Sequence, residues 1–266
     1  MILKRKSELE VMAAAAVINR EALEAVERHI APGVTTAELN AVAEDAIISR
    51  GGKPAFKGYN GFPATLCTSV NEVVVHGIPG DRRLDDGDIV SIDIGTFYRG
   101  YAADLARTYA VGTIPVEAQR LLDATERSLT AGIEAAQVGK RLGDVSAAIQ
   151  GVVEQAGYWV VREFVGHGIG REFHEGPEVP NFGRAGTGPV LRPGLVLAIE
   201  PMVAQRRARV VIADDGWTAS TENGCLAAHF EHTVAITEDG PWVLTAGGEV
   251  RGSTSVAVAG GGVHGA

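Results

Sequence analysis

Cysteine is nearly absent from this 266-residue chain, which holds only Cys67 and Cys225. Two cysteines exclude a disulfide framework and a cysteine-based zinc module, and they suit a reducing compartment, so a cytoplasmic location is expected. Positive charge is also scarce: 24 Lys and Arg stand against 33 Asp and Glu, a net charge of −9. That balance argues against nucleic acid as a direct substrate, because phosphate binding needs a basic stripe. Arg206, Arg207 and Arg209 are a local exception that could touch a ribonucleoprotein surface, so ribosome contact stays among the expected partners. No apolar run is long enough to span a membrane, and Glu8, Glu10 and Arg20 deny the N-terminal segment the apolar core of a signal peptide.

What the chain does have is a strand written twice. Residues 87–93 read GDIVSID and residues 194–200 read GLVLAIE, each a glycine, five residues rich in strand formers, and a carboxylate. Faces alternate along a strand, so Asp93 shares a face with Ser91 and Ile89, and Glu200 with Ala198 and Val196. A small residue sits two before each acid and leaves room beside it. Each copy has a follower, Asp104 in GYAADLARTYAV and Glu231 in HFEHTVAI. One acid alone would read as a solvated strand end; the repeated offset predicts an internal duplication around a shared site. Four carboxylates buried together need a counter-charge, and two divalent cations would supply it.

Helical spacing runs from about Lys6 to His29, where Pro32-Gly33 follows, and Thr35 with Glu38 forms a capping box for a second helix stopped by Gly51-Gly52. A loop leads to TSVNEVVVHGIP, a strand or hairpin ending near His76, then to strands around 88–94 and 101–111. The second half repeats the order, with helices from Pro115 to about Gln137 and over roughly 142–156, then strands at about 158–165, 195–203, 208–213 and 229–237. The expected fold class is α+β, a curved antiparallel sheet with two helix pairs covering one face. One domain over 1–246 is expected, in pseudo-symmetric halves of about 1–112 and 113–246, with a glycine-rich disordered tail at 247–266.

A third motif is GHGIGREFHEGP, in which glycines flank His167 and His174 follows seven residues later. One imidazole joined to four carboxylates makes a hard, oxygen-rich set suited to manganese, iron(II), cobalt or zinc, without choosing among them. Two ions sharing bridging carboxylates can hold a hydroxide and polarise a carbonyl, which points to hydrolysis of an acyl or phosphoryl bond. His76 and His174 stand outside the ligand count, available to bond substrate.

The set NEVVVHGIP, DIVSIDIG with Asp104 eleven residues after Asp93, GHGIGREFHEGP, AIEPM and FEHT resembles the methionine aminopeptidases of the pita-bread fold, peptidase family M24, from about Ser7 to Thr245. The resemblance implies removal of the N-terminal methionine from nascent polypeptides when the second residue is small. It implies that Asp93 chelates one metal, Asp104 and Glu231 bridge both, and His167 and Glu200 complete the other. Glu200 would also be the acid/base for the attacking water. His174 would meet the scissile carbonyl oxygen, and His76 the scissile nitrogen. A pocket of Tyr59, Phe62, Cys67, Phe173 and Trp217 would take the methionine side chain, a lining that suits a thioether. A monomer is expected by the same resemblance.

Phe56 and Phe62 depart from the family's usual small or sulfur-containing residue and tyrosine, which bears on pocket shape. His229, two residues before Glu231, is expected on the same strand face, either as a partner of that carboxylate or in a surface or packing role, and His232 on the opposite face with a structural role. Only 32 residues separate His167 from Glu200, too few for the helical insertion of type II enzymes, so the chain resembles a short type I form. Two other readings are a proline-directed peptidase of the same fold, expected to carry an extra N-terminal domain, and a metal-free interaction scaffold, expected to have lost ligands.

Overall fold

The computed structural model describes residues 1–246; the expected disordered tail at 247–266 lies outside the described residues. The first half opens with helices α1 (Lys6–Glu27) and α2 (Thr36–Ser49). Strands β1 (Lys53–Pro54), β2 (Leu66–Val70), β3 (Val73–Val75), β4 (Ile89–Tyr98) and β5 (Tyr101–Ala110) follow. The second half starts again with helices, α3 (Val116–Ala135) and α4 (Leu142–Gln155), then β6 (Trp159–Val160), β7 (Gly166–Gly168) and β8 (Glu175–Val179). It continues through β9 (Val196–Ile199), β10 (Met202–Ala204), β11 (Val210–Ile212), β12 (Ala219–Thr221), β13 (Ala227–His229), β14 (Glu231–Thr237) and β15 (Gly240–Val243).

The capping box forms as read: Thr35 Oγ1 accepts from the Glu38 amide, and Glu38 accepts from the Thr35 amide at 2.7 Å. Helix α1 turns Met12, Ala15, Ala16, Ala22, Leu23 and Val26 inward. Its one buried amide, Asn19, donates to the Ile94 carbonyl at 2.7 Å and accepts from the Thr96 hydroxyl, pinning α1 to β4.

The main sheet is antiparallel throughout, in the order β1-β4-β5-β14-β9-β7-β8, with β2 beside β4 and β15 beside β14. Its centre is the pair β5 and β14, one strand from each half of the chain. One core packs Ile18, Leu39 and Ile47 onto Ile92, Ile94 and Leu105; its counterpart packs Leu121 and Ile149 onto Leu197 and Ile199. Both helix pairs therefore cover one face of the sheet. Because faces alternate, Asp93, Asp104 and Glu200 emerge on the other face.

Four expected strands are shorter or broken, among them 208–213, which is confined to Val210–Ile212. The strand at 158–165 is confined to Trp159–Val160. The run at 195–203 divides at Glu200-Pro201, with β9 in the main sheet and β10 in a separate sheet with β13 and β6. The run at 229–237 divides at Phe230 in the same way. A proline has no amide to continue a ladder, so the chain changes sheets where the acid sits. The expected hairpin before His76 also resolves differently: β2 pairs with β4, while β3 pairs with β12.

Candidate metal centre

The register brings the acids together. Ala106 on β5 is the cross-strand partner of both Asp93 on β4 and Glu231 on β14, and Asp104 lies two residues away on the same face. A methyl group thus separates three carboxylates. On the other side of the centre, Ala198 pairs with His167 and with Thr233, and Glu200 follows two residues later. His167 Nε2 lies 3.8 Å from Asp104 Oδ2 and 3.6 Å from Glu200 Oε1. Ligand atoms of Asp104, His167 and Glu231 all fall within 4.8 Å of one another.

Burial pushes every acid upward in the metal-free protein. Asp93 is raised well above the usual carboxylate range by burial and then by the neighbouring Asp104 charge. Asp104 itself is pushed up to about 8 by burial. Burial, then the Asp104 charge, raises Glu200 and Glu231 in the same direction. Burial also holds His76, His167 and His174 down to about 4 and His229 to about 3, so the imidazoles are neutral and supply no positive charge. Among the described residues, no lysine or arginine lines the cavity. Asp93 Oδ1 and Glu231 Oε1 are buried without any hydrogen-bond partner. Four acids without a cationic neighbour, two of them with orphaned oxygens, fit divalent cations.

His167 is set for the same role. Its Nδ1–H donates to the Gly168 carbonyl at 2.9 Å, which leaves the Nε2 lone pair facing the acids. His229 corrects an expectation: the strand breaks between it and Glu231, and its Nε2 approaches Glu200 Oε2 at 3.7 Å instead. His232 faces the helices, as expected of a structural residue, and its Nδ1 lies 2.8 Å from the Thr245 hydroxyl.

Above the acids the wall is aromatic. All five expected pocket residues, Tyr59, Phe62, Cys67, Phe173 and Trp217, line the cavity with His76 and His174. Phe56 joins them, edge-on to Phe173 at 5.3 Å, and Phe62 is edge-on to Trp217 at 5.2 Å. Burial, then the charges of Asp93 and Asp104, raises the Cys67 thiol, so it lines the pocket as a neutral, polarisable group. His76 adopts φ 61°, a left-handed conformation rare outside glycine, and the adjoining Gly77 passes against the Thr68 carbonyl too closely for a side chain.

The sequence reading did not find several contributors. Tyr59 Oη lies 2.7 Å from His174 Nδ1, a partnership hidden by a separation of 115 residues. Asn181 donates to the Glu200 carbonyl at 3.0 Å. Phe164, Val165 and Met202 also line the cavity; their place beside GHGIG and within AIEPM was the available signal.

The description "Metallopeptidase family M24" matches residues 10–238. A methionine aminopeptidase of Clostridium perfringens is 53% identical over 245 residues, covering 92% of this chain and 98% of its own. The crystal structure of a Thermotoga maritima methionine aminopeptidase superposes with TM-score 0.91 at 46% identity, covering 92% of this chain and 99% of that one. A Pyrococcus furiosus prolidase superposes with TM-score 0.75 at 26% identity, and only 66% of that chain is covered.

Proposed function

The chain belongs to metallopeptidase family M24, and we propose that the buried acids of its central sheet hold the metal on which its activity depends. That activity is metal-dependent removal of an N-terminal methionine. Asp93, Asp104, His167, Glu200 and Glu231 would hold two divalent ions, with manganese, iron(II), cobalt and zinc all suited to the set. Bound there, the ions supply Lewis-acid polarisation of the scissile carbonyl and a water acidic enough to ionise near neutral pH.

The side chains divide the remaining work. The methionine side chain enters the wall of Tyr59, Phe62, Cys67, Phe173 and Trp217. The Tyr59 phenol donates to His174 Nδ1, which puts the imidazole proton on Nε2, aimed at the carbonyl oxygen where negative charge develops. Burial and the Glu172 charge raise Tyr59, so it remains a phenol. Glu200 takes the proton of the attacking water and returns it to the leaving amine, and His76 contacts the scissile nitrogen.

The substrates are nascent polypeptides with a small second residue, processed in the cytoplasm by a monomer. No helix among the described residues is long and apolar enough to cross a membrane. Exposed Arg206, Arg207 and Arg209 mark where ribosome contact would fall. The observation that carries this reading is the pair of orphaned oxygens on Asp93 and Glu231 beneath an aromatic wall.

The test is methionine release from Met-Ala-Ser and Met-Trp-Ser peptides by metal-stripped protein, with Mn(II), Co(II), Fe(II) or Zn(II) restored separately and Ala-Pro-Ala run beside them. Metal-dependent cleavage of Met-Ala-Ser alone is expected. Cleavage of only the proline peptide would transfer the site to a proline-directed peptidase, and equal cleavage of both methionine peptides would remove the small-residue rule.

A further inference from the structure

An ion pair lies buried well outside the acid cluster. Lys4 Nζ meets Glu175 Oε2 at 2.5 Å, with side-chain exposures of 3% and 4%. Burying two charges seldom adds stability relative to apolar groups of the same size, so the pair calls for a geometric account. Its position offers one. Glu175 directly follows Phe173 and His174, and its second oxygen, Oε1, accepts from the Arg171 amide at 2.9 Å. The carboxylate therefore closes the turn 170–175 on one side and grips the N-terminal segment on the other. Lys4 is fixed in turn, because its amide donates to the Gly194 carbonyl at 2.7 Å, at the start of the segment leading to Glu200. Any side chain at Gly170 would run into Lys4 and Glu175, and one at Gly194 into the Lys4 backbone.

A second tie reaches the same turn from one helical turn onward. Glu8 Oε1 accepts from the Tyr101 hydroxyl at 2.6 Å and lies 3.8 Å from Arg171 Nη2, while the Arg171 guanidinium sits 4.5 Å over the Tyr101 ring. Residues 4–8 thus hold both ends of the turn that presents His174, which otherwise leans on His167 at 4.1 Å between ring centroids and on Tyr59.

We propose that Lys4 and Glu175 are positioning residues for the hydrolysis, their ion pair fixing the turn 170–175 so that His174 reaches the scissile carbonyl. This rests on the role assigned to His174. A displacement of about 1 Å in such a group is enough to cost around a hundredfold in rate.

The experiment uses Lys4→Met, Glu175→Gln, and the double variant Lys4→Met/Glu175→Leu, which removes both charges together and so keeps the fold. Each is measured for kcat and KM on Met-Ala-Ser, for Mn(II) affinity and for Tm, in the wild-type and His174→Ala backgrounds. The double variant is expected to keep wild-type Tm and Mn(II) affinity, and to lower kcat at least tenfold with KM changed less than threefold. In the His174→Ala background the same substitutions are expected to lower kcat by less than twofold, because the group they position is gone. A general packing role would lower kcat equally in both backgrounds and overturns the proposal. Wild-type kcat in the double variant overturns it while leaving His174 in place. Unchanged kcat in His174→Ala alone would remove the His174 assignment and the proposal with it.

Discussion

Two imidazoles of the site each have one Nδ1 neighbour that bears on which atom faces the cavity. His167 is oriented through Nδ1 by a backbone carbonyl, so only Nε2 is free for a metal. His174 Nδ1 meets the Tyr59 phenol at 2.7 Å, and with the phenol as donor its Nε2 would carry the proton. One side chain type would thus serve as a base at His167 and as a donor at His174. Tyr59 would accordingly serve both as pocket wall and as tautomer lock, and Tyr59→Phe separates the two roles. The ring remains against Phe173 at 5.8 Å while the hydroxyl is lost. The expected effect is the loss of about 1 kcal/mol, roughly fivefold in kcat, with KM nearly constant. Steady-state kinetics on Met-Ala-Ser would show it; a rise in KM alone would leave Tyr59 as wall only.

At the scale of elements, the site depends on strands that approach unusually closely around it. A Cβ on Gly166 would collide with the Ala198 carbonyl and press on Val179 Cβ at 3.1 Å and Glu200 Cγ at 3.3 Å. Gly166→Ala must part β7 from β9, moving His167 and Glu200 together. A destabilisation of about 1–3 kcal/mol is expected, with Mn(II) affinity reduced at least tenfold by calorimetric titration. Gly151 on α4 is the contrast, since no atom lies within 4 Å of an added Cβ. Gly151→Ala should stabilise by about 0.5–1 kcal/mol and leave turnover unchanged. The helices, the capping box at Thr35 and the four acids were legible because periodicity and repeated offsets are local signals. Asp93 and Glu200 were found through that offset, although Asp93 lies within β4 and Glu200 just past β9. The breaks at Pro201 and Phe230 were not legible, because a strand leaving one sheet for another keeps its apolar alternation. Contacts such as Tyr59–His174 and Lys4–Glu175 join residues more than a hundred positions apart and leave no spacing to read.

Across the whole molecule the expected metal ligands divide between the halves: Asp93 and Asp104 come from the first, His167, Glu200 and Glu231 from the second. Their junction, β5 against β14, is reinforced by threonines. Thr233 Oγ1 accepts from the Asp104 amide and donates to its carbonyl, and Thr108 Oγ1 does the same for His229. A cation held at this seam would therefore tie the halves as well as serve the reaction. The pH dependence of the metal-free protein follows from the shifts. The buried carboxylates are raised, so between their ordinary range near 4 and the raised values the folded state binds more protons than the unfolded. Their contribution to stability falls as pH rises through that window, which for Asp104 reaches about 8. The histidines are lowered to about 3 to 4, so their contribution rises with pH up to roughly 6.5 and is then complete. The two trends oppose each other below about 6.5, and only the carboxylate loss remains above it. Chelated protein should thus melt at a lower temperature at pH 8 than at pH 6.5. Metal-loaded protein, with those carboxylates partnered in their charged form, should lose far less. The gap in Tm between loaded and chelated protein, measured at both pH values, is expected to widen at pH 8. A gap of equal size would mean that the acids are already ionised without metal, and that some other group in the fold compensates them.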